Sequence, residues 1–537
     1  MKSKGLQQNS GERMYIDRRH FIKWTGAAIA GLAGLSFTPF INSQALWGAN
    51  RESSFEPDVD IYLEAVSRQV PILSGPDTDV WSYRGKVLVG PTDTLDLSDT
   101  SYLGPTFRLK KGQKVRIRFL NLLPYDTIIH WHGLHVPDLM DGHPRLVVGL
   151  GSSYTYEFEV LNRAGTYWYH PHPHGRTGHQ LYSGLAGVLI VSDKEETSLP
   201  LPTGDHDLSL VIQDRLFDQN NQLVYMPGGM MDRMNGMLGD RILVNGRANA
   251  STDVDAGAYR LRIINASNAR VYRLAWDDGR PLIVIGTDGG LIERPEHKED
   301  VLLSPGERLE IWADFSRYPV DAGVRLISRP LPEAASGGMR GGMRGGRGMM
   351  GRGMMGGMMG RQSRLENETF TIMRFKVGSV TGPKLDLPDK LTPLERITRA
   401  DADNSSVRRF TLSMAHMQGL INGRVFAMQE VAPDEIVHLG ATEIWEFANE
   451  VSGMGMMNMP MVHPMHIHAV QFKVLNRWGV GHNGYMDKGW KDTVLLLPGE
   501  GVQVIARFAP YTGLYLYHCH NLEHGDGGMM RNFRIVL

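Results

Sequence analysis

The sequence has a single cysteine, Cys519, among its 537 residues. One cysteine cannot form a disulfide within the chain, so disulfide-stapled folds are excluded. Neither sign of charge dominates, because the chain has 57 lysine and arginine residues and 58 aspartate and glutamate residues. The sequence shows no basic stripe interleaved with aromatic residues, and we therefore expect no nucleic-acid partner.

Apolar runs of about 18 residues, the length needed to cross a bilayer, are lacking after the N-terminal region. That region carries Arg18 and Arg19 ahead of a weakly apolar stretch at residues 27–40. This order is typical of a twin-arginine signal peptide, which we place at residues 1–49; a frayed amphipathic N-terminus is the alternative. We expect the twin-arginine (Tat) machinery to export the folded protein to the periplasm, where the signal is cleaved and the mature protein is soluble.

Short runs of β-branched and aromatic residues fill the rest of the chain, for example at residues 115–119, 154–160 and 187–191. Gly, Pro, Asn and Asp separate these runs, which is the pattern of strands joined by turns. The predicted fold class is all-β. A chain of this length with 42% hydrophobic residues has room for two to four domains with buried cores.

Several segments repeat within the chain. GTYWYHPH from Gly165 returns as GLYLYHCH from Gly513, and LLSPGERLEIWADF from Leu302 returns as LLLPGEGVQVIARF from Leu495. In the same way, ILVNGR in the middle of the chain returns as LINGR near its end. Since such repeats mark copies of one structural unit, we predict three β-sandwich or barrel domains.

The predicted domains leave two regions outside their cores. The boundaries are 50–196, 197–378 and 405–537 for the domains and 379–404 for a Pro- and charge-rich linker. Residues 333–364 consist largely of glycine, arginine and methionine and cannot form a core. They are predicted to be a mobile insertion near the end of the second domain.

Histidines occur two residues apart in four segments. The pairs are His130 and His132, His172 and His174 (with His170 before them), His466 and His468, and His518 and His520. On an extended strand, residues i and i+2 project from the same face, so each pair directs two imidazoles into one space. Eight imidazoles exceed what one ion accepts, and the pattern therefore indicates a multinuclear metal site.

Cys519 lies between His518 and His520, so strand alternation turns its side chain to the opposite face. It therefore serves a different metal from the paired histidines. His463, His524 and Met529 are its plausible companions, because two histidines, a thiolate and a distant methionine form the blue-copper ligand set. This geometry is suited to one-electron transfer, and peptide bonds connect Cys519 directly to the flanking histidines.

The segments HWHGLHVP, YHPHPHG, GLAGVLIV, HPMHIH and HCHNLEHGDGGMM resemble the copper motifs of multicopper oxidases. The resemblance covers essentially the whole mature chain and is strongest to bacterial copper-efflux oxidases with a methionine-rich insertion. It implies three consecutive cupredoxin-like Greek-key β-barrel or sandwich domains, with a copper cluster between the first and third. It also implies four copper ions, one type 1, one type 2 and two type 3, that support the four-electron reduction of O2 to water.

Carried over position by position, the resemblance implies a role for each ligand. It places His130 and His466 on type 2 copper; His132, His172, His174, His468, His518 and His520 on the type 3 pair; and His463, Cys519, His524 and Met529 on type 1 copper. Cys519 is then the point of electron entry. Within HPHPH the resemblance makes the last two histidines ligands and leaves His170 either to support the ligands from behind or to serve a structural role.

Asp141, nine residues after His132, matches a family acid that orders water near type 2 copper, and we expect it to relay protons. A simple turn aspartate in the DGHP context is the alternative. Many relatives also carry an acid directly after the type 1 histidine that follows the cysteine. Here that position is Gly525, followed by Asp526.

Methionines, 29 in all, are concentrated at residues 226–237, 339–359 and 454–465. Thioethers are soft ligands that prefer Cu(I), which makes cuprous ion the expected electron donor. By resemblance, Met461 matches a methionine that binds substrate Cu(I) in copper-efflux oxidases, and the insertion adds Met354, Met355, Met358 and Met359. Two differences from copper-efflux oxidases weigh against Cu(I) binding here. Met459 stands where those enzymes have an aspartate, and arginines in the insertion repel cations.

Three functions follow from these patterns. The first is a cuprous oxidase for copper tolerance, the second a laccase-like oxidase of phenols or aromatic amines, and the third a non-catalytic cupredoxin-fold protein for scaffolding or copper storage. The third is disfavoured because every expected ligand position is filled. A copper nitrite reductase would not need four paired-histidine motifs in one chain. We expect a monomer that takes O2 and either Cu(I) or small phenolic or amine donors.

Overall fold

The computed structural model describes residues 54–97, 101–332, 368–403, 407–415, 418–450, 461–479 and 481–537. The predicted signal peptide and the methionine-rich insertion lie outside the described residues, and their assignments stay predictions. Within the described part, no helix is both long and apolar enough to span a bilayer.

Nine strands form the first group, which spans residues 59–192. They are β1 (Val59–Val70), β2 (Thr78–Val89), β3 (Leu95–Asp96), β4 (Thr106–Lys110), β5 (Lys114–Asn121), β6 (Ile129–His132), β7 (Ser153–Glu159), β8 (Gly165–Pro171) and β9 (Gly187–Ser192). One sheet has the order β2-β1-β5-β7 and the other β3-β4-β9-β8-β6.

Twelve strands form the second group. They are β10 (Asp207–Arg215), β11 (Arg241–Val244), β12 (Arg247–Ala248), β13 (Ser251–Ala256), β14 (Ala258–Asn265), β15 (Tyr272–Trp276), β16 (Leu282–Thr287), β17 (Gly290–Lys298), β18 (Val301–Leu303), β19 (Arg308–Asp314), β20 (Gly323–Ser328) and β21 (Phe370–Thr381). Their sheets have the orders β12-β11-β10-β14-β19-β16-β17 and β13-β21-β20-β15-β18.

Ten strands form the third group. They are β22 (Arg408–Ala415), β23 (Gln418–Ile421), β24 (Ile436–His438), β25 (Thr442–Asn449), β26 (His463–Ile467), β27 (Phe472–Trp478), β28 (Thr493–Leu496), β29 (Gly501–Arg507), β30 (Gly513–Cys519) and β31 (Met530–Val536). Their sheets have the orders β23-β22-β25-β29-β27 and β24-β31-β30-β26-β28.

Helices are few and short in the described residues. The α-helices are α1 (Thr177–Tyr182), α2 (Lys194–Thr197), α3 (Met230–Asn235) and α4 (Leu522–Asp526). Single 3-10 turns occur at Thr92–Thr94, Pro144–Leu146, Gly204–His206, Phe315–Arg317, Arg399–Asp401 and Pro433–Glu435.

The three groups share one topology. In each, the first strand runs parallel to a later strand of its own sheet: β1 with β5, β10 with β14, and β22 with β25. A second parallel pair recurs in the facing sheet, as β4 with β9, β13 with β21, and β24 with β31. The prediction of an all-β chain with three consecutive cupredoxin-like Greek-key domains is confirmed. The exact domain boundaries and the linker at 379–404 stay predictions.

Alternation of side chains along the strands builds one main core in each domain. On β1, for example, Val59, Ile61, Leu63 and Ala65 are fully buried, and they join the core of the first domain. Burying a valine, leucine or isoleucine side chain in this way contributes about 1.5–3 kcal/mol relative to leaving it exposed. The cores of the other two domains are separate, so each sandwich holds its own functional strands in place.

Candidate metal centre

Four strand ends bring eight histidines together. His130 and His132 lie on β6, whereas β8, β26 and β30 each contribute one histidine near the strand end and one just beyond it. These six are His170, His172, His466, His468, His518 and His520. Pairing aligns the strands, since His130 lies opposite His170 and His466 opposite His518. All eight rings are at most 3% exposed, so the first and third domains enclose a cluster shielded from water.

One facing pair of ring nitrogens lies between the two domains. His130 Nε2 and His466 Nε2 are 3.4 Å apart. Metal–nitrogen bonds of 2.0–2.1 Å in a tetrahedral site place two ligand nitrogens about 3.3 Å apart. The pair therefore fits one bound metal ion, and it is the pair expected on type 2 copper.

The other six rings form two groups of three. His468 Nε2 and His172 Nε2 lie 3.1 Å and 3.3 Å from His518 Nε2. In the second group, His132 Nδ1 lies 3.3 Å from His170 Nε2, and His520 completes the set. Each group supplies three nitrogen ligands from both domains, as two neighbouring metal ions require.

His174 does not belong to this cluster, and choosing it over His170 was wrong. Strand β8 ends at Pro171, so His170 and His172 still share the inward face, while His174 lies beyond the strand. His174 is exposed, and its ring contacts that of Phe426 in a tilted arrangement with centroids 4.8 Å apart. His170 is fully buried and takes the ligand position.

Backbone and carboxylate oxygens hold these rings in defined orientations. His130 Nδ1 donates to the carbonyl of Asp141 at 2.7 Å, and His466 Nδ1 donates to the carbonyl of Asp492 at 2.8 Å. His518 Nδ1 donates to the carbonyl of Cys519 at 3.1 Å. In each case Nε2 is left without a proton, which is the form that binds a metal ion.

The electrostatics of the cluster also fit bound cations. Burial lowers the pKa below the usual histidine range for His132, His170, His172, His466, His468, His518 and His520. These rings are therefore neutral near pH 7. Neither ring nitrogen of His520 has a hydrogen-bond partner among the described residues, although both are buried. Such buried unpaired nitrogens are expected where a metal ion completes the site.

A second site lies on the opposite side of β30. Cys519 Sγ is 3.5 Å from His463 Nδ1 and 3.7 Å from His524 Nδ1, and the two nitrogens are 3.3 Å apart. Burial raises the pKa of the Cys519 thiol, so a cation must displace the proton to form the thiolate. Met529 is fully buried, and its main chain bonds to Cys519 and His524. The structure thus brings three of the expected type 1 ligand atoms together, with the buried Met529 next to them along the backbone.

Asp141 touches both sides of the histidine cluster. Its Oδ2 accepts a hydrogen bond from His468 Nδ1 at 2.7 Å, while its Oδ1 lies 3.4 Å from His130 Nδ1. Burial raises the pKa of this carboxyl group. Asp141 is therefore more than a turn residue, although its part in proton transfer stays a prediction.

No second acid reaches the cluster through the helix that follows Cys519. Gly525 is buried, and a Cβ built there would lie 3.2 Å from the carbonyl oxygen of Cys519. The neighbouring Asp526 turns away and accepts the main-chain N–H groups of Thr177 and Gly178 at 3.0 Å and 2.9 Å. Asp526 thus caps helix α1 rather than replacing the acid that many relatives carry.

Helix α3 of the second domain covers the Cys519 site. His524 Nε2 donates to the carbonyl oxygen of Met234 at 2.7 Å. Two further hydrogen bonds hold the segment around α3 against helix α4. The Glu523 carboxylate accepts the N–H of Met237 at 2.9 Å and the hydroxyl of Tyr225 at 2.8 Å. The methionine cluster was noted in the sequence, but its position against His524 was not predicted.

The methionines expected to bind substrate copper fall into two sets. Met461 is 7% exposed, and its carbonyl oxygen accepts the side-chain amide of Asn449 at 2.7 Å. Met354, Met355, Met358 and Met359 lie outside the described residues, as does Met459. A substrate role for these residues stays a prediction.

Asp492 and Arg308, which lie beside the cluster, were not predicted from the sequence. Asp492 Oδ1 accepts a hydrogen bond from His132 Nε2 at 3.1 Å, and Arg308 Nη1 donates to the same oxygen at 2.6 Å. Burial alone raises the pKa of Asp492, but Arg308 and His132 outweigh burial and hold this pKa well below its usual range. A lone aspartate or arginine carries no local signal, so these contacts could be found only in three dimensions.

Comparisons with known proteins agree with this geometry. Two family models described as multicopper oxidase match residues 81–196 and 386–536. The multicopper oxidase mco of Staphylococcus aureus is 32% identical over 439 residues, which cover 81% of this chain and 82% of that protein. A laccase of Bacillus stratosphericus is 29% identical, with coverage of 86% and 91%. The crystal structure of the McoA multicopper oxidase from Aquifex aeolicus is 35% identical, with a TM-score of 0.74 and coverage of 90% and 97%.

Proposed function

This chain belongs to the multicopper oxidase family, and from that premise we propose that its electron donor is Cu(I), which it oxidises to Cu(II) in copper tolerance. Four bound copper ions supply the one-electron steps that together reduce O2 to water. The residues described above fit this set, with one mononuclear site and eight histidines for a trinuclear cluster.

The chain's own residues connect the two sites. Cys519 lies between His518 and His520, so two peptide bonds lead from the mononuclear site to the cluster. A hydrogen bond adds a second route, because the Cys519 carbonyl oxygen accepts His518 Nδ1–H at 3.1 Å. We propose Asp141 as the proton relay, since its Oδ2 receives His468 Nδ1–H and its Oδ1 has no hydrogen-bond partner among the described residues.

The contact between His524 and Met234 is the observation that carries the Cu(I) proposal. His524 is 1% exposed, and its outer nitrogen is bonded to the backbone of the methionine-rich helix α3. A phenol cannot stack on or donate to a ring edge that is occupied in this way. A bare metal ion needs only soft ligands near the site, and the adjoining thioethers are such ligands.

Methionines lead from the surface to this contact. Met230 is 57% exposed, Met231 and Met234 are half-buried, and Met237 is fully buried. The segment therefore offers thioethers at several depths within one helix and its flank. We propose that they bind Cu(I) and bring it to the cover of the Cys519 site, with Met461 as a further candidate.

A laccase-like oxidase of phenols or aromatic amines is the second candidate. The observation in its favour is that α3 has only six residues and is flanked by Gly229 and Gly236, both with positive φ. Glycine adopts such backbone conformations without strain, which makes the ends of α3 suitable hinges. A relative named laccase aligns with 86% of this chain.

Oxygen uptake by the copper-loaded protein with Cu(I) and with a phenol separates the two functions. We expect the triple variant Met230→Leu, Met231→Leu, Met234→Leu to oxidise Cu(I) about tenfold more slowly, which corresponds to about 1.4 kcal/mol. Phenol turnover should be unchanged or higher. Met373→Leu, a methionine buried in the second-domain core, is the matched control and should not alter either rate.

Deletion of residues 337–361 tests the insertion in the same assay. If the insertion binds Cu(I), the deletion should lower Cu(I) turnover and raise phenol turnover. If phenol turnover dominates in the intact protein and neither the triple variant nor the deletion changes either rate, the cuprous-oxidase proposal is wrong and a laccase-type role takes its place.

The cellular setting is part of the proposal. Arg18 and Arg19 with the following apolar stretch support export through the twin-arginine pathway to the periplasm, and we propose a monomer there. Replacing both arginines with lysine should retain the protein in the cytoplasm and make cells sensitive to copper. Periplasmic copper oxidation by the double-lysine variant would contradict this localisation.

A further inference from the structure

Five charged side chains lie buried beside the histidine cluster where the three domains meet. They are Asp288, Glu307, Arg308, Lys491 and Asp492, each at most 6% exposed. Buried charges are costly unless they are paired and hydrogen-bonded. These five side chains therefore need charged or hydrogen-bonding partners, and Arg308 makes the most such contacts.

Arg308 uses all five of its N–H donors. Nε donates to the Thr166 carbonyl at 3.1 Å, Nη1 to the Gly306 carbonyl at 3.0 Å, and Nη2 to the Asp288 carbonyl at 3.0 Å. The remaining N–H groups of Nη1 and Nη2 donate to the two carboxylate oxygens of Asp492 at 2.6 Å and 2.5 Å. Only a guanidinium has five donors in this fixed arrangement, so lysine cannot reproduce the set.

Asp492 passes this restraint to two metal ligands. Its Oδ1 accepts His132 Nε2–H at 3.1 Å, which leaves Nδ1 of that ring facing the cluster. Its main-chain oxygen accepts His466 Nδ1–H at 2.8 Å, which leaves Nε2 of the second ring facing the cluster. One residue thus fixes the tautomer of a first-domain histidine and of a third-domain histidine.

Close packing leaves the ion pair no room to move. A Cβ on Gly133 would lie 2.5 Å from Asp492 Oδ2 and 2.7 Å from Arg308 Nη2. A Cβ on Gly306 would lie 3.0 Å from His520 Cδ2 and 3.2 Å from His132 Cε1. The turn that carries Arg308 therefore forms part of the cluster wall, and first-domain backbone covers the pair from the other side.

Comparison of the repeats shows that the turn does not need this arginine. In LLSPGER, the Glu307 carboxylate accepts the N–H of Ser304, and in LLLPGEG, the Glu500 carboxylate accepts the N–H of Leu497. The two turns are thus built alike, but the residue in the place of Arg308 is Gly501. A turn of this kind therefore forms without an arginine at this position, and the contacts to Asp492 are what Arg308 adds.

We infer that Arg308 is a positioning residue for the copper cluster. The second domain supplies none of the eight histidines, yet through Arg308 and Asp492 it sets the ring orientation of His132 and His466. This role is independent of the electron donor, because it concerns how the cluster holds copper rather than which substrate reduces it.

Arg308→Lys in the full chain tests the inference, with copper content after dialysis against a chelator and the electron paramagnetic resonance spectrum of type 2 copper as readouts. We expect cluster copper to be held about 10- to 100-fold less tightly, the usual cost of losing an outer partner of a metal ligand. The type 2 spectrum should change, while the thiolate–copper absorption band of the Cys519 site should persist and report an intact third domain.

Arg260→Lys is the matched control. Arg260 lies on β14 beside β19, is 2% exposed and pairs with Glu196 and Glu310, but it contacts no histidine of the cluster. It should leave the type 2 spectrum and copper retention as in the unmodified protein. If both variants release copper alike, or if neither changes the type 2 spectrum, Arg308 has only a structural role and the inference fails.

Asp492→Asn provides the test if Arg308→Lys does not fold. Asparagine keeps the shape of the side chain but removes the charge that Arg308 pairs with. We expect the same changes in copper retention and type 2 spectrum, again with the Cys519 band preserved. Unaltered retention and an unaltered spectrum in this variant overturn the inference as well.

Discussion

His170 and His174 are four positions apart in HPHPHG but differ in burial, and this predicts opposite effects of removing each ring. His170→Ala removes one of three nitrogens from a metal group, so O2 reduction should fall by about 100-fold or more, since even outer-partner losses cost 10- to 100-fold. His174→Ala removes an exposed ring and should leave activity unchanged. Copper per chain and oxygen uptake measure both, and copper loss in His174→Ala alone would contradict the assignment.

Most of the metal ligands could be predicted from spacing because strand alternation is a local rule. HCH alone separates Cys519 from its flanking histidines, as the structure shows. The choice within HPHPH could not be made in the same way, since all three histidines share one face for as long as the strand continues. The strand ends at Pro171, three residues before His174, so the alternation of strand faces no longer applies there and His174 leaves the face. Asp492 and Arg308, 184 positions apart, meet only in the folded chain.

Strands β14 and β19 pair in the interior of their sheet and carry a second buried charge cluster. Glu310 on β19 bonds to Arg260 and Arg262 on β14 and to Thr166 on β8, and so joins the first domain to the second. Burial alone raises the pKa of Glu310, but the two guanidinium groups outweigh it and lower this pKa to about 2. The carboxylate is therefore charged in the folded protein throughout the usual pH range.

Glu310→Gln should lower the free energy of unfolding by about 3–5 kcal/mol near pH 7, the cost of breaking a buried ion pair. Because the folded pKa lies below the unfolded value, the charged-state contribution is complete above the unfolded pKa and is lost as pH falls toward 2. The difference in the free energy of unfolding between the unmodified protein and Glu310→Gln should thus narrow from pH 6 to pH 3. Denaturant unfolding of the copper-free proteins measures this difference at each pH. A difference that grows as the pH falls contradicts the assignment of Glu310 as a buried charged carboxylate.

The succession of strands could be predicted from the sequence more completely than the positions of the helices. Repeated segments such as those from Leu302 and Leu495 give equivalent consecutive strands, β18 then β19 and β28 then β29, because similar residues form the same turn between them. Helix α3 has no counterpart of this kind. Its methionines predicted soft-ligand chemistry, but its contact with His524 depends on how the second domain meets the third, which no local pattern specifies.

Across the whole molecule, the copper sites differ in how many domains they join. The residues expected at the Cys519 site all belong to the third domain, whereas the cluster brings together four histidines from the first domain and four from the third. The second domain contributes contacts instead of ligands, through Met234 at one site and Arg308 at the other. Copper in the cluster should therefore stabilise the arrangement of domains, and copper in the Cys519 site should not.

Removal of copper tests this difference. A ligand that binds only the folded state at a thousand times its dissociation constant adds about 4 kcal/mol of stability, so copper-loaded protein should unfold at a higher temperature than chelator-treated protein. Cys519→Ser, which disrupts only the mononuclear site, should keep most of that copper-dependent increase. His466→Ala, which breaks the pair with His130 across the domains, should lose much of it.

Comparing loaded with copper-free protein within each variant cancels any effect of the substitution on the apo fold. If Cys519→Ser loses the increase and His466→Ala keeps it, the cluster is not what joins the first domain to the third.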